Sequence, residues 1–325
     1  WKLRGEFLDV GPQQVQEVLE RPEGEFQVLQ GKIPNVFPLR KGFLKAQVPC
    51  DVITPLVENG VICATGSRQG NVLKCIGVSP EYQGLGISAA ILTELVKDAY
   101  LNGIFHLFLY TKPQNRQMFA GCGFYEVAAT ADVLLMENRR NGIRDFLRTL
   151  PRRSEAADIG AVVANCNPFT NGHLYLIEQA AARSDFLYLF ILSEDRSEFS
   201  AADRLLLARE GTAHISNLAV YPTGDYLISQ ATFPQYFLKE KQRANLIQCE
   251  LDLNIFCSWF ARYFGITKRY VGSEPYCPVT SEYNRRMKAV LPQRGIDVIE
   301  LARREINGSA ISASRVRELL HKGQM

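Results

Sequence analysis

Short apolar runs recur along the second half of the chain, each followed by a segment whose apolar residues return at helical spacing. The runs Ile159 to Ala164, Phe186 to Leu192, Leu218 to Tyr221, Arg269 to Gly272 and Val298 to Leu301 predict strands. Between and after them, Gly172 to Arg183, Ala201 to Ile215, Leu246 to Tyr263, Ser281 to Val290 and Ser312 to His321 predict helices. Continuous apolar strands alternating with helices are the signature of a parallel, doubly wound sheet buried on both faces.

The first half has another rhythm. Strands are predicted at Asp51 to Val57, Val61 to Thr65, Val72 to Val78, Ile104 to Tyr110, Phe124 to Val127 and Val133 to Met136. Helices are predicted at Gly86 to Tyr100 and, briefly, at Asn115 to Ala120. Asn59-Gly60 between two apolar runs is a strong hairpin signal. The expectation is an antiparallel sheet with helices, an α+β layer. The two rhythms meet in the basic segment 141–157, interrupted by Pro151, so the expected organisation is 1–140, a linker 141–157, and 158–325.

Composition narrows the function classes. A chain of 325 residues exceeds the usual size of one core, and 46% hydrophobic with 22% charged residues is ordinary for a globular protein. A net charge of +3 is too small and too dispersed to make nucleic acid the main partner. No apolar run approaches the roughly 20 residues that cross a bilayer, so no membrane association is expected. The eight cysteines contain no C-x-x-C pair and mostly sit in apolar runs, which reads as reduced, buried thiols of a cytoplasmic protein. The first ten residues lack a signal-peptide core, and the missing initiator methionine at Trp1 suggests that a few natural residues precede it. Residues 1–50 are rich in turn formers and offer no candidate site.

Chemistry concentrates where strands end. In an open parallel sheet ligands bind beyond the carboxyl ends of the strands, and Asn167-Pro168-Phe169-Thr170-Asn171-Gly172-His173 leaves the first of them. Gly172 would let backbone approach a ligand, the helix start offers free N–H groups to a phosphate, and Thr170 and His173 add donors around the same point. Taken alone, this is also what a capped helix start looks like. Two distant stretches change the balance: Gly272-Ser273-Glu274-Pro275 at the end of another strand, and Ile311-Ser312-Ala313-Ser314-Arg315-Val316-Arg317 opening the last helix. The latter supplies hydroxyls and guanidinium groups suited to phosphate.

T-x-G-H, V-G-S-E-P and I-S-x-S-x-x-R, in this order, resemble the HIGH-type nucleotidyltransferase superfamily. Together with "FSAADRL", "GDYLISQATFPQYFLKE", "ELDLNIF" and "VGSEPYC", they resemble more closely the citrate lyase ligase family, over about residues 50 to 320. The resemblance implies a Rossmann-like adenylylating domain that joins acetate to ATP, releases pyrophosphate and forms acetyl-adenylate. The acetyl group would then pass to the thiol of the CoA-derived prosthetic group on the citrate lyase acyl carrier subunit, activating the lyase. It also implies roles. Thr170 and His173 would stabilise charge on the α-phosphate, and Ser314 and Arg317 would hold the β and γ phosphates. Gly272, Ser273 and Glu274 would lie near the adenosine, and Asn167, Pro168, Phe169, Gly172, Ile311 and Ser312 would complete the ATP site. Mg²⁺ is expected chiefly as a bridge between phosphates, with no protein metal site.

In the first half, Gln83-Gly84-Leu85-Gly86-Ile87-Ser88 between a strand and a helix would form a backbone N–H nest for a pyrophosphate. This stretch resembles motif A of the GNAT acetyltransferases, and Asn115 to Val127 resembles their later Asn…Gly-Phe segment. The sequence departs from that pattern at Ser88, where Gly or Ala is usual, and at Phe119, which stands where a thiol-protonating tyrosine is usual. Phenylalanine cannot act as a general acid, so the GNAT-like domain is expected to receive the thiol arm of the carrier rather than to acetylate amines.

Arg204, and Asp195 with Arg196, follow the second strand within reach of the same crevice but are read as surface positions. The arginines of 139–153 could meet an acidic carrier protein but are read as a solvated face. His106, His214 and His321 have no partner pattern and receive no role. Two other readings stay open. One is a nucleotidyltransferase of cofactor biosynthesis fused to an acetyltransferase; the other is a non-catalytic sensor of ATP and acyl-CoA.

Overall fold

A computed structural model describes residues 4–5, 27–28, 50–58, 61–153, 155–194, 197–227, 241–274, 278–306 and 309–323. Several sequence expectations therefore lie outside the described residues: the Asn59-Gly60 turn, Asp195-Arg196, the part of the family-like stretch at 228–240, and Pro275 to Cys277. The described residues divide into two compact units, and the chain passes from the first to the second between Gly142 and Ile143.

The first unit is built on one sheet. Its strands are β1 (Arg4–Gly5), β2 (Gln27–Val28), β3 (Val52–Glu58), β4 (Val61–Gln69), β5 (Val72–Val78), β6 (Phe108–Thr111), β7 (Tyr125–Ala129) and β8 (Leu134–Glu137), in the order β1-β2-β3-β4-β5-β6-β8-β7. Helix α1 (Ile87–Leu101) lies on the sheet through Ile87, Ile91, Leu92, Leu95 and Ala99, a stripe at helical spacing that packs onto Leu56, Leu73 and Leu109. Helix α2 (Arg116–Gly121) adds Phe119 to the same core. Each of the larger apolar side chains buried here contributes about 1.5–3 kcal/mol.

The sheet is mixed, which corrects the antiparallel expectation: β5 and β6 run parallel because α1 crosses over between them. Their pairing is confined to Val72 with Phe108 and Leu73 with Leu109. Beyond that point the two strands separate, and the gap between them is a cleft.

The second unit begins with helix α3 (Gly142–Arg148) inside the stretch expected to be a linker. Ile143, Leu147 and Leu150 are buried, and Phe146 packs against Tyr226 and Phe260. The apolar residues of that basic segment therefore point inward, while Arg144, Arg148, Arg152 and Arg153 are exposed.

Five parallel strands follow: β9 (Ile159–Ala164), β10 (Phe186–Ile191), β11 (Leu218–Pro222), β12 (Lys268–Gly272) and β13 (Asp297–Leu301), in the order β11-β10-β9-β12-β13. Helices α4 (Asn171–Ala181), α5 (Ala201–Gly211), α6 (Lys241–Ile255) and α7 (Pro278–Val290) connect them. Helix α6 runs into a π-helical turn, Phe256–Ala261, and ends in Arg262–Phe264. The doubly wound expectation holds in type, and the structure supplies the strand order. The order reverses at β9, whose neighbours are β10 and β12, and this places the ligand-binding crevice beyond the carboxyl ends of β9 and β12.

After β13 a small antiparallel hairpin, β14 (Glu305–Ile306) with β15 (Ser309–Ala310), turns the chain into the last helix α8 (Ala313–His321). The Ile311 N–H donates to the Arg304 carbonyl at 3.2 Å. This hairpin was not expected from the sequence.

Candidate active site

The turn after β9 is shaped by its own short-range chemistry. Cys166 is buried in a left-handed conformation (φ 51°) and the Asn167–Pro168 peptide is cis. Burial pushes the Cys166 thiol up to about 12, partly opposed by the nearby Arg204 charge, so it is an inert core thiol.

Thr170 is the N-cap of α4, its Oγ1 accepting from the His173 N–H at 3.5 Å, while the Thr170 N–H donates to His173 Nδ1 at 3.1 Å. Thr170 Oγ1 also lies 2.8 Å from Nδ1. A ring nitrogen that accepts from a backbone N–H carries no proton, so the imidazole hydrogen is held on Nε2. The capping box thereby fixes the tautomer and leaves Nε2–H as the outward donor.

Burial, with the Arg303 charge as a second cause, lowers the His173 pKa from 6.5 to about 4. The group is therefore a neutral donor at pH 7. Because the folded value is depressed, the unfolded chain takes up the proton first on acidification. The stability supplied by the neutral ring is complete above pH 6.5 and is lost as pH falls towards about 4. Comparison of urea unfolding midpoints should show a wild-type advantage over His173→Gln that is constant above that window and shrinks within it.

Gly172 has a reason besides the one expected. A Cβ there would lie 3.2 Å from the Ile311 carbonyl oxygen, so the missing side chain lets the segment before α8 close onto the start of α4. This approach brings two stretches far apart in sequence to one place. Arg317 on α8 donates to the Asn167 carbonyl and, at 3.2 Å, to Ser314 Oγ, and pairs with Glu198 at 3.6 Å. Ser312 is the N-cap of α8, its Oγ accepting from the Arg315 N–H at 3.1 Å. Arg315 is exposed and does not border the cleft, against expectation.

A cleft of about 920 Å³ opens beyond β9 and β12. Asn167, Thr170, Gly172 and His173 border it from one side, Gly272 and Glu274 from β12, and Ile311, Ser312, Ser314 and Arg317 from the last segment. Of the residues expected at the ATP site, Pro168, Phe169 and Ser273 do not border it. Phe169 instead stacks beside His173, with ring centroids 5.9 Å apart, and sits where a side chain at Gly211 would otherwise be. Ser273 continues the strand ladder, its N–H donating to Leu301 O at 2.8 Å.

Two arginines were misread or missed. Arg204, read as a surface position, is fully buried and donates to the carbonyls of Phe199 (3.1 Å), Asn165 (2.9 Å), Leu192 (2.8 Å) and Glu194, and to Asn165 Oδ1 (2.5 Å). It ties together the loops that leave β9 and β10. Arg303, just beyond β13, pairs with Glu274 and donates to the Ser273 carbonyl at 2.6 Å. Its charge is felt by His173. Its place after the last strand of the sheet was the available signal. The three histidines given no role each face a carboxylate: His106 with Glu137 (2.6 Å), His214 with Glu178 (3.1 Å) and His321 with Glu198 (3.1 Å).

The first unit holds a separate cleft of about 560 Å³ between the diverging β5 and β6, bordered by Gln83, Gly84, Gly86, Ser88 and Phe119. Gly84 and Gly86 have φ of 84° and 77°, a left-handed region that glycine enters without strain. Gly86 is the N-cap of α1, so the free first-turn N–H groups begin at this edge. Leu85 is exposed and does not border the cleft.

Among the described residues, no three His, Cys, Asp or Glu side chains converge to hold a metal, and no helix is long and apolar enough to cross a membrane.

Among solved structures, the fold is similar to an acetyltransferase of the GNAT family from Staphylococcus aureus Mu50, with 16% identity, 27% of this chain, 68% of that one and a TM-score of 0.26. It is also similar to a bifunctional NMN adenylyltransferase/ADP ribose pyrophosphatase from Francisella tularensis, with 20% identity, 52% of this chain, 42% of that one and a TM-score of 0.32. The citrate lyase ligase C-terminal domain matches residues 159–325. The chain is 44% identical to the citrate (pro-3S)-lyase ligase of Klebsiella pneumoniae, over 86% of this chain and 84% of that protein. It is 39% identical to that of Escherichia coli K12, over 88% and 84%. The chain belongs to the citrate lyase ligase family.

Proposed function

We propose that the chain activates citrate lyase by using ATP to acetylate the thiol of the CoA-derived prosthetic group on the lyase's acyl carrier subunit. The observation that carries this reading is the gathering of Thr170 and His173, Gly272 and Glu274, and Ser314 and Arg317 around one cleft. In the first step an acetate oxygen bonds to the α-phosphorus, the bond from that phosphorus to its bridging oxygen breaks, and pyrophosphate leaves with the electron pair. Neutral His173 donates through Nε2–H to the charge growing on the α-phosphate, and Ser314 and Arg317 hold the departing phosphates. Donors fixed in advance at developing charge are the main source of such rate enhancement. In the second step the carrier thiol bonds to the acetyl carbon, AMP leaves with the former carboxylate oxygen, and the thiol proton is released.

The acidic side chains bordering the ATP side of the cleft are not grouped as a metal cage, and Glu274 is paired with Arg303. Mg²⁺ in this reading comes with the triphosphate and neutralises its charge. The cleft of the first unit takes the thiol arm, with Phe119 at its wall where a protonating tyrosine would otherwise stand. The compartment implied is the cytoplasm, where ATP is plentiful and the seven described cysteines stay free thiols.

Incubating the protein with ATP, Mg²⁺ and acetate is expected to release pyrophosphate and form acetyl-AMP without any carrier, and adding the carrier with its thiol arm should yield the thioester. Pyrophosphate release that ignores acetate and requires a pantetheine or nicotinamide nucleotide would overturn the reading.

A further inference from the structure

The cleft reaches deeper than a triphosphate at the strand ends requires. On β12, Arg269 pairs in register with Ala161, three residues before Gly272 at the strand's carboxyl end. At about 3.3 Å per residue this sets its Cα roughly 10 Å behind the mouth. The side chain is 3% exposed yet borders the cleft. Its guanidinium lies over the Phe256 ring, 4.3 Å from the centroid, and its buried Nε has no hydrogen-bond partner. None of the ion pairs among the described residues includes it.

A guanidinium cannot shed its proton to escape burial. Stacking on a ring satisfies its face but not its edge, where the N–H groups point. Asp252 is near enough for its charge to be felt, but its Oδ2 accepts from Tyr283 Oη at 2.5 Å. Val163, Cys249 and Met287 supply apolar lining to the same cleft, beside the polar Gln248, Tyr283 and Asn284. Burial pushes the Cys249 thiol up to about 12, so no second anion is supplied from there.

We propose that Arg269 is the carboxylate-recognising group of this cleft, taking a short aliphatic acid, acetate, by its unpartnered edge while the methyl group faces Val163, Cys249 and Met287. The planar guanidinium matches a carboxylate with two parallel hydrogen bonds, and a buried cation with an open edge selects an anion over neutral molecules of the same shape. Arg269 thereby acts in binding and orienting the acid, and the α-phosphate chemistry stays with His173. The inference rests on the activation of acetate proposed above.

The test uses the full chain with Arg269→Met and Arg269→Lys, since methionine fills the buried volume and lysine keeps the charge without the two-pronged edge. In acetate-dependent exchange of labelled pyrophosphate into ATP, both variants should raise the KM for acetate by roughly 10- to 100-fold, as expected for lost charged hydrogen bonds. The KM for ATP should stay as in the wild type. An unchanged acetate KM in a folded variant, or an ATP KM that rises in step, overturns the proposal.

Line broadening of isotope-labelled acetate by the protein gives a readout that needs no turnover, and it should vanish in Arg269→Met. If the variants do not fold, the wild-type protein decides. Broadening displaced by propionate but not by pyrophosphate supports the subsite, and displacement by pyrophosphate places the carboxylate among the phosphate ligands and overturns it. A wild-type protein that broadens acetate but shows no acetate-dependent exchange would refute the proposed reaction and leave the subsite standing.

Discussion

Replacing His173 with alanine is expected to lower acetate-dependent pyrophosphate release by about 10²- to 10³-fold, the usual cost of removing one donor aimed at developing charge. The ring is neutral, held in one tautomer by the Thr170 N–H, and offers Nε2–H to the cleft. Its loss removes that donor and one half of the capping box. The second effect is small, because Thr170 Oγ1 still caps α4, and substitutions in such caps cost about 1 kcal/mol. Circular dichroism and the melting temperature should therefore report a folded protein. Steady-state release of pyrophosphate, measured against acetate, separates the outcomes: normal turnover removes His173 from the mechanism.

Arg204→Met is expected to lower stability by at least about 3 kcal/mol, because several carbonyls lose a buried donor and each orphaned group costs about 1–3 kcal/mol. The carbonyls of Asn165, Leu192 and Phe199 accept from this one side chain, which has zero exposure. Arg204→Lys should recover little, since an ammonium cannot reach so many directions from one plane. Urea unfolding checks both variants, and a midpoint equal to the wild type would mean that the loops leaving β9 and β10 are held by something else.

The fold was legible wherever a local pattern decides it. The central strands β9 and β10 announce themselves because they are buried almost throughout, and the Thr170-to-His173 turn is legible because cap and anion donors lie within four consecutive residues. Strand β6 starts later than its apolar run because Leu107, though buried, donates its N–H to Asn138 Oδ1 at 2.8 Å instead of to a neighbouring strand. The β14–β15 hairpin has two residues per strand, too few to show a period. Phe169 sits inside a motif yet serves packing, against Gly211, a relation between distant turns.

The arginines were the hardest to read. Arg204, Arg269 and Arg303 look alike in sequence, but one serves carbonyls of two loops, one stacks on a ring, and one pairs with Glu274. Their roles depend on partners from other elements, which no local spacing encodes. Glycine at 172 was read as a point of close approach for a ligand; the structure adds a second approach, by the Ile311 carbonyl, and both residues border the cleft.

The wide turn at Phe256–Ala261 has a consequence for evolution of the cleft. Such a turn is equivalent to one extra residue accommodated in an otherwise regular helix, so everything before it is rotated by about 100° from where an uninterrupted coil would put it. Cys249 and Asp252, before the turn, border the cavity, whereas Phe260 within it and Phe264 beyond it are buried in the interior. A single-codon deletion there would turn the residues before it, as a block, relative to those after it.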